Sequence, residues 1–354
     1  MPVRPSRPTR PTGDPAAGRH LVRGTAAVGG ALLLLTGCAG SAPETPGDAA
    51  PTADSPTADA SPATSAYPLT LENCGITVAV DAPPERVVTI KSSATEMLLA
   101  LGAGDRIVGT GFPDGPVPDE YAAEAADLPV LSDRVPSAEV VLEAEPDLVY
   151  AGWESNLTAE GAGDRGTLAQ LGVATYVSPS ACKDPAAQPD RLTFDLVFDE
   201  ITEVAELLDV PGAAEDLVAE QTALLDGVVP DDRGLTALWY SSGTDIPYVG
   251  AGIGAPQMIM DAVGLTNIAA GVQDTWTSFS WEQVAADDPD VIVLVDAAWN
   301  TADAKRQLLA TNPATANLTA VRGERYLVVP FAASEAGVRN VPAVVDLVAQ
   351  LAAL

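Results

Sequence analysis

The sequence predicts an α/β protein of two similar lobes, each with a mostly parallel sheet and flanking helices, joined by a long rigid helix. Three observations carry this. Short β-branched runs alternate with helical segments, the pattern of parallel βαβ units. A stretch starting at Ser137 recurs without a gap at Ser280, an offset of 143 residues. Between the two copies, Phe194 to Leu225 has apolar residues at helical spacing.

In the first copy Arg86–Ile90 reads as a strand, and Lys91-Ser92-Ser93 caps a helix over Ala94–Leu101, stopped by Gly102. Ile107–Gly109 is the next strand. Ser137 caps a helix through Glu143, and Pro146-Asp147 leads into the strand Leu148–Tyr150. A helix near Thr167–Leu171 ends at Gly172, before the strand Thr175–Val177. Between the copies, Pro211 breaks or kinks the helical run and Ala213 resumes it. In the second copy Leu235–Tyr240 is a strand and Ala255–Val263 a helix stopped by Gly264. Ser280 caps another helix, Val291–Val295 is a fully buried strand, and Tyr326–Val329 is a further one.

The N-terminus reads as an export signal. Arg19 and Arg23 precede the apolar run Ala26–Leu35, too short for a membrane span, which ends in Leu35-Thr36-Gly37-Cys38. This looks like a bacterial lipobox, in which Cys38 carries the lipid and becomes the new N-terminus. The expected organisation is a lipoprotein signal peptide over 1–37 and a disordered Pro/Ala/Thr/Asp-rich tether over 38–67. An N-terminal lobe over 68–192, the linking helix over 193–228 and a C-terminal lobe over 229–354 follow. The protein is then lipid-anchored on the extracytoplasmic face of the cell membrane. Outside the membrane Cys74 and Cys182 are expected to pair, the alternative being two buried thiols.

Composition excludes several functions. Apolar residues make up 47% of the 354 residues, enough for a sizeable core, and the net charge of −31 disfavours a nucleic-acid partner. The single histidine, His20, lies in the signal region. The mature chain therefore has no Ser-His-Asp triad, no His-based metal site and no His-ligated haem, and neither catalysis nor a resident cofactor or metal is expected. An exported hydrolase or dehydrogenase also lacks a G-x-S-x-G elbow here. A purely adhesive surface lipoprotein would not need two matched lobes.

Several segments resemble the periplasmic-binding-protein family that serves ferric-siderophore and cobalamin ABC importers. They are Arg86 to Glu96 (RVVTIKSSATE), Leu101-Gly102 with Asp105–Gly109, Glu145–Val149, Leu171–Val173 and the linking helical stretch. The resemblance implies the class III fold of that family, a cleft between lobes, and a monomer acting with ABC permease and ATPase subunits. Such proteins commonly dock through one acidic residue on each lobe. Glu160 or Asp164 is near the matching place in the first lobe, whereas Gly250–Gly254 in the second holds no acid. Narrower likenesses at Tyr150–Asn156, Leu238–Gly243, Tyr248–Met258 and Val329–Gly337 are to lipoproteins named as transporters of a deazaflavin (F-420-type) coenzyme precursor. The resemblance thus implies a small anionic, flat or macrocyclic cargo. The runner-up cargoes are a ferric siderophore, carrying its own iron, or cobalamin.

Ligands of parallel α/β sheets sit beyond the carboxyl ends of strands. Lys91, Arg134, Lys183 and Arg339 follow expected strands and could grip an anion, with Ser92 beside the first. Trp153, Tyr240, Trp276, Trp299 and Phe331 cluster at the same strand ends and offer flat faces. The turn Gly250–Gly254, with Gly252 and Gly254, precedes a helix. Its bare amides could meet a carboxylate or phosphate, although a tight strand-to-helix turn is the favoured explanation.

Overall fold

The computed structural model describes residues 67–354. The signal, Cys38 and the tether lie outside the described residues. β1 (Leu69–Asn73) and β2 (Ile76–Val80) form an antiparallel hairpin. β3 (Val87–Ile90), β4 (Ile107–Gly111), β5 (Val130–Ser132), β6 (Leu148–Ala151) and β7 (Ala174–Val177) make a five-stranded, all-parallel sheet in the order β5-β4-β3-β6-β7. The second lobe carries β8 (Thr236–Ser242), β9 (Tyr248–Gly250), β10 (Thr266–Asn267), β11 (Trp276–Ser278), β12 (Val291–Asp296) and β13 (Tyr326–Pro330). Its order is β11-β9-β8-β12-β13, with β10 also on β8. β9 runs antiparallel to both of its neighbours, β8 and β11, and the remaining pairs are parallel.

The repeat has a physical cause. Ser137 and Ser280 each accept a hydrogen bond from the amide three residues on, at 3.4 and 3.0 Å, and so cap their helices. Asp147 accepts from the amides of Glu85 and Arg86, just ahead of the central strand β3. Asp290 accepts from the amide and hydroxyl of Thr236, the first residue of β8. In each lobe one aspartate thus sets the register of the strand it enters against its central neighbour.

The expected single linking helix is two, Phe194–Leu207 and Pro211–Asp226. Asp209 adopts φ 56°, and Pro211, which has no amide hydrogen, starts the second helix. The buried Ile201, Val204 and Leu207 join Leu148 and Tyr150 of one lobe and Trp239, Met258 and Leu347 of the other in one continuous core. Cys74, at the hairpin turn, forms a disulfide with Cys182 after β7. Asn73 beside it donates to the carbonyl of Val177 and accepts from its amide, which secures the hairpin along the edge of the sheet.

Candidate functional site

A cavity of about 600 Å³ lies between the lobes, at the carboxyl ends of β6, β7, β8, β12 and β13. One lobe contributes Trp153, Ser155, Ser180 to Lys183 and Gln188. The other contributes Ser241, Ser242, Tyr248, Gly254, Asp274 to Trp276, Trp299, Phe331 and Ser334 to Ala336.

Aromatic rings make the wall. Phe331 is nearly parallel to Trp276, with centroids 6.4 Å apart, and Trp276 is in turn stacked with Tyr248 at 6.0 Å. Trp153 and Trp299 meet Phe331 edge-on at 6.2 and 5.6 Å. Trp276 and Tyr248 reach this place because β11 and β9 pair in antiparallel register. Trp299 sits on a turn held by the buried Lys305, whose Nζ donates to the carbonyls of Val295 and Asn300. Burial lowers that amine to about 8.

Beneath the rings lies Lys91. Its ammonium is caged by Trp153, Phe112 and Phe331, at 3.9, 4.3 and 4.6 Å from their centroids, and is ion-paired with the buried Asp114. The expected cap is also different. Lys91 takes φ 85° with no side-chain cap of its own, and Asp114 accepts from the amide of Ser92 at the helix start. The hydroxyl of Ser92 accepts from the amide of Asp114.

Two consecutive polar residues of the wall, Ser334 and Glu335, are buried, 1% and 9% exposed. Trp153 Nε1 donates to Glu335 Oε2 across the lobes at 2.5 Å. Glu335 Oε1 and Ser334 Oγ are buried and have no hydrogen-bond partner among the described residues. Burial raises the Glu335 carboxyl to about 7, with nearby Lys91 and the Trp153 bond pulling the other way.

Of the twelve expected ligand residues, the cavity gathers Trp153, Lys183, Gly254, Trp276, Trp299 and Phe331. The other six stand elsewhere. Lys91 and Ser92 are buried under the floor and already partnered. Arg134 is exposed beyond the edge strand β5, on the far side of the sheet from β6 and β7. Arg339 forms a two-pronged ion pair with the fully buried Glu96 of the other lobe and donates to the Pro116 carbonyl, so it clasps the lobes. Tyr240 is 1% exposed and donates to the Gly243 carbonyl from a smaller core cluster with Trp281. In the glycine turn, the amides of Ala251, Gly252 and Ile253 donate to the carbonyls of Thr275, Val272 and Asp274, so they are not bare. Gly252 is required because a Cβ there would lie 2.3 Å from the Ala270 carbonyl oxygen. Tyr248, Ser334 and Glu335 were not among the expected residues. Glu335 follows β13 as closely as Lys183 follows β7, so the strand-end rule extended to acids would have found it.

Of the four expected cations only Lys183 lines the cavity, opposite the acids Asp274 and Glu335. The arrangement suits a bulky, flat solute rather than an anion held by several cations. Among the described residues no cluster of His, Cys, Asp or Glu could hold a metal, and no helix is long and apolar enough to cross a membrane.

Comparison with known proteins places this geometry. A cobalamin-binding protein of Halobacterium salinarum is 29% identical over 299 residues, covering 82% of this chain and 75% of that protein. YvrC, an uncharacterised ABC transporter substrate-binding lipoprotein of Bacillus subtilis, is 24% identical over 326 residues, covering 90% and 92%. A solved structure of an ABC-type Fe3+-hydroxamate transport system from Saccharomonospora viridis matches with a TM-score of 0.71 and 26% identity, covering 80% of this chain and 99% of that one. Residues 87–332 match the family described as periplasmic binding protein. With two α/β lobes facing each other over an aromatic cavity, the chain belongs to the periplasmic binding protein family, of the type that serves ABC importers.

Proposed function

We propose that the protein captures a large, flat or macrocyclic solute of the corrinoid class between its lobes, as a monomer, and hands it to an ABC permease driven by an ATPase. The observation that carries this is the ring wall of Tyr248, Trp276, Phe331, Trp153 and Trp299, with little charge around it. Apolar ring faces gain contact area from a macrocycle without needing a cation grip. The likeness to a cobalamin-binding protein supports the same class. Calorimetric titration of the full chain with cobalamin, a ferric hydroxamate, haem and a deazaflavin coenzyme precursor tests it. Micromolar or tighter cobalamin binding is the expected result. Saturable binding of another of these with none of cobalamin refutes it.

The deazaflavin precursor is the second reading, favoured by the near-parallel Tyr248, Trp276 and Phe331 rings, against which a flat heterocycle could lie. It loses the anion grip expected of Lys91, Arg134 and Arg339. We also propose that Cys38 carries the lipid that holds the protein at the outer face of the membrane. Palmitate labelling of cells should then be lost in Cys38→Ala.

A further inference from the structure

Two polar atoms of the cavity wall are buried with no hydrogen-bond partner among the described residues. A buried acceptor or hydroxyl left without a partner is costly, and native interiors rarely keep one without a use. Here there are two on consecutive residues, Ser334 Oγ and Glu335 Oε1, and both residues line the cavity. Their backbone is fixed. Asn340 Nδ2 donates to the Glu335 and Ala333 carbonyls, on either side of Ser334. The second oxygen of Glu335 is held by Trp153, which leaves Oε1 as the remaining acceptor. The pair is therefore built to meet something that donates to a carboxylate and accepts from a hydroxyl.

We propose that Ser334 and Glu335 form the polar anchor of the solute and select a primary carboxamide on its edge. The amide N–H donates to Glu335 Oε1 and the amide oxygen accepts from Ser334 Oγ–H. This rests on the corrinoid reading, since a corrinoid ring is fringed with carboxamides, and it deepens that reading by naming the group recognised. A carboxylate at the same place would face Glu335 as a like charge. The ionisable and charged groups around Glu335 are Lys91 and Asp114 below, Tyr248 beside the ring wall, and Asp274 and Lys183 on the cavity lining. Of these Lys91 is already neutralised by Asp114, and Lys183 stands on the other lobe. Near-neutral titration of Glu335 makes the discrimination depend on pH.

The test is calorimetry on the full chain with cobalamin and with its monocarboxylates, in which one side-chain amide is hydrolysed. At pH 8, at least one monocarboxylate should bind about tenfold to a hundredfold more weakly than cobalamin. The penalty should shrink at pH 6 and in Glu335→Gln. Ser334→Ala, which leaves the Trp153 bond intact, should weaken cobalamin itself several-fold. Equal affinities for cobalamin and all its monocarboxylates, with neither variant differing from wild type, overturn the anchor. If a ferric hydroxamate or haem binds instead of cobalamin, the corrinoid reading fails. Carboxamide selection then falls with it, and what survives is a polar contact of Ser334 and Glu335 with the solute's edge if Glu335→Gln and Ser334→Ala both weaken that solute tenfold or more.

Discussion

Replacing Glu200 with glutamine should stabilise the folded body at pH 8 and leave it almost unchanged at pH 5. Glu200 sits in the first linking helix, 3% exposed. Tyr150 Oη donates to one carboxyl oxygen at 2.8 Å and Ser178 Oγ to the other at 3.0 Å. Burial outweighs both bonds, and the nearby Glu203 adds to it, so the carboxyl rises from 4.5 to about 7. The folded value lies above the unfolded one. Its stabilising contribution is therefore complete below about 4.5 and is lost as pH rises through about 7. The full displacement is worth roughly 3 kcal/mol, of which about 2–3 kcal/mol falls between pH 5 and pH 8. Glutamine keeps the acceptor for Tyr150 and offers Ser178 a donor, with no charge to bury. Urea unfolding at both pH values checks this, and thermal melts should show a gain of about 5 °C for the variant at pH 8. Burial also raises Glu335 to about 7, so both proteins lose stability over this range and wild type should lose more than Glu200→Gln. A variant whose pH profile runs parallel to wild type from pH 5 to pH 8 refutes the reasoning.

Arg339→Ala should destabilise by about 3–5 kcal/mol, because Glu96 is left buried and unpaired, and adding Glu96→Gln should restore part of the loss in denaturant unfolding. Removing the Cys74–Cys182 disulfide, which joins residues 108 apart, should lower stability by roughly 4–5 kcal/mol on the chain-entropy model, seen in melts with and without reductant. Trp276→Ala should weaken capture of a flat solute about tenfold or more in calorimetry, with little change in melting temperature, since the ring is only half-buried.

Much of the fold was legible because its causes are local. Ser137 and Asp147, like Ser280 and Asp290, do their work within a helix turn or against the strand next door. The β-branched runs of β3 and β12 follow from composition alone. The break at Pro211 could be read, but not that it would leave two separate helices, which depends on Asp209 taking a left-handed turn. The site was half-legible for a related reason. Strand ends can be found along the chain, but sheet order cannot, and it is sheet order that puts Arg134 at the wrong edge. Which cations are free depends on partners far away in sequence. Arg339 meets Glu96 across 243 residues, and Lys91 meets Asp114 across 23. Attention to basic residues also passed over Glu335, an acid whose importance comes from burial.

The antiparallel pair β9–β11 gives the cavity two unlike walls. Trp153 follows β6, an interior strand, and Phe331 is 6% exposed. Trp276 and Tyr248 ride instead on the last two strands at one edge, where β11 bonds to β9 alone. Edge strands open locally at far less cost than a whole lobe. Fraying of this margin is then expected to set the residence time, while rings on both walls contribute to affinity. Amide exchange at residues 276–278 should be fast in the empty protein and slow when solute is bound. A stiffer edge would make the protein slower to release its cargo to the permease without making any better contact with it.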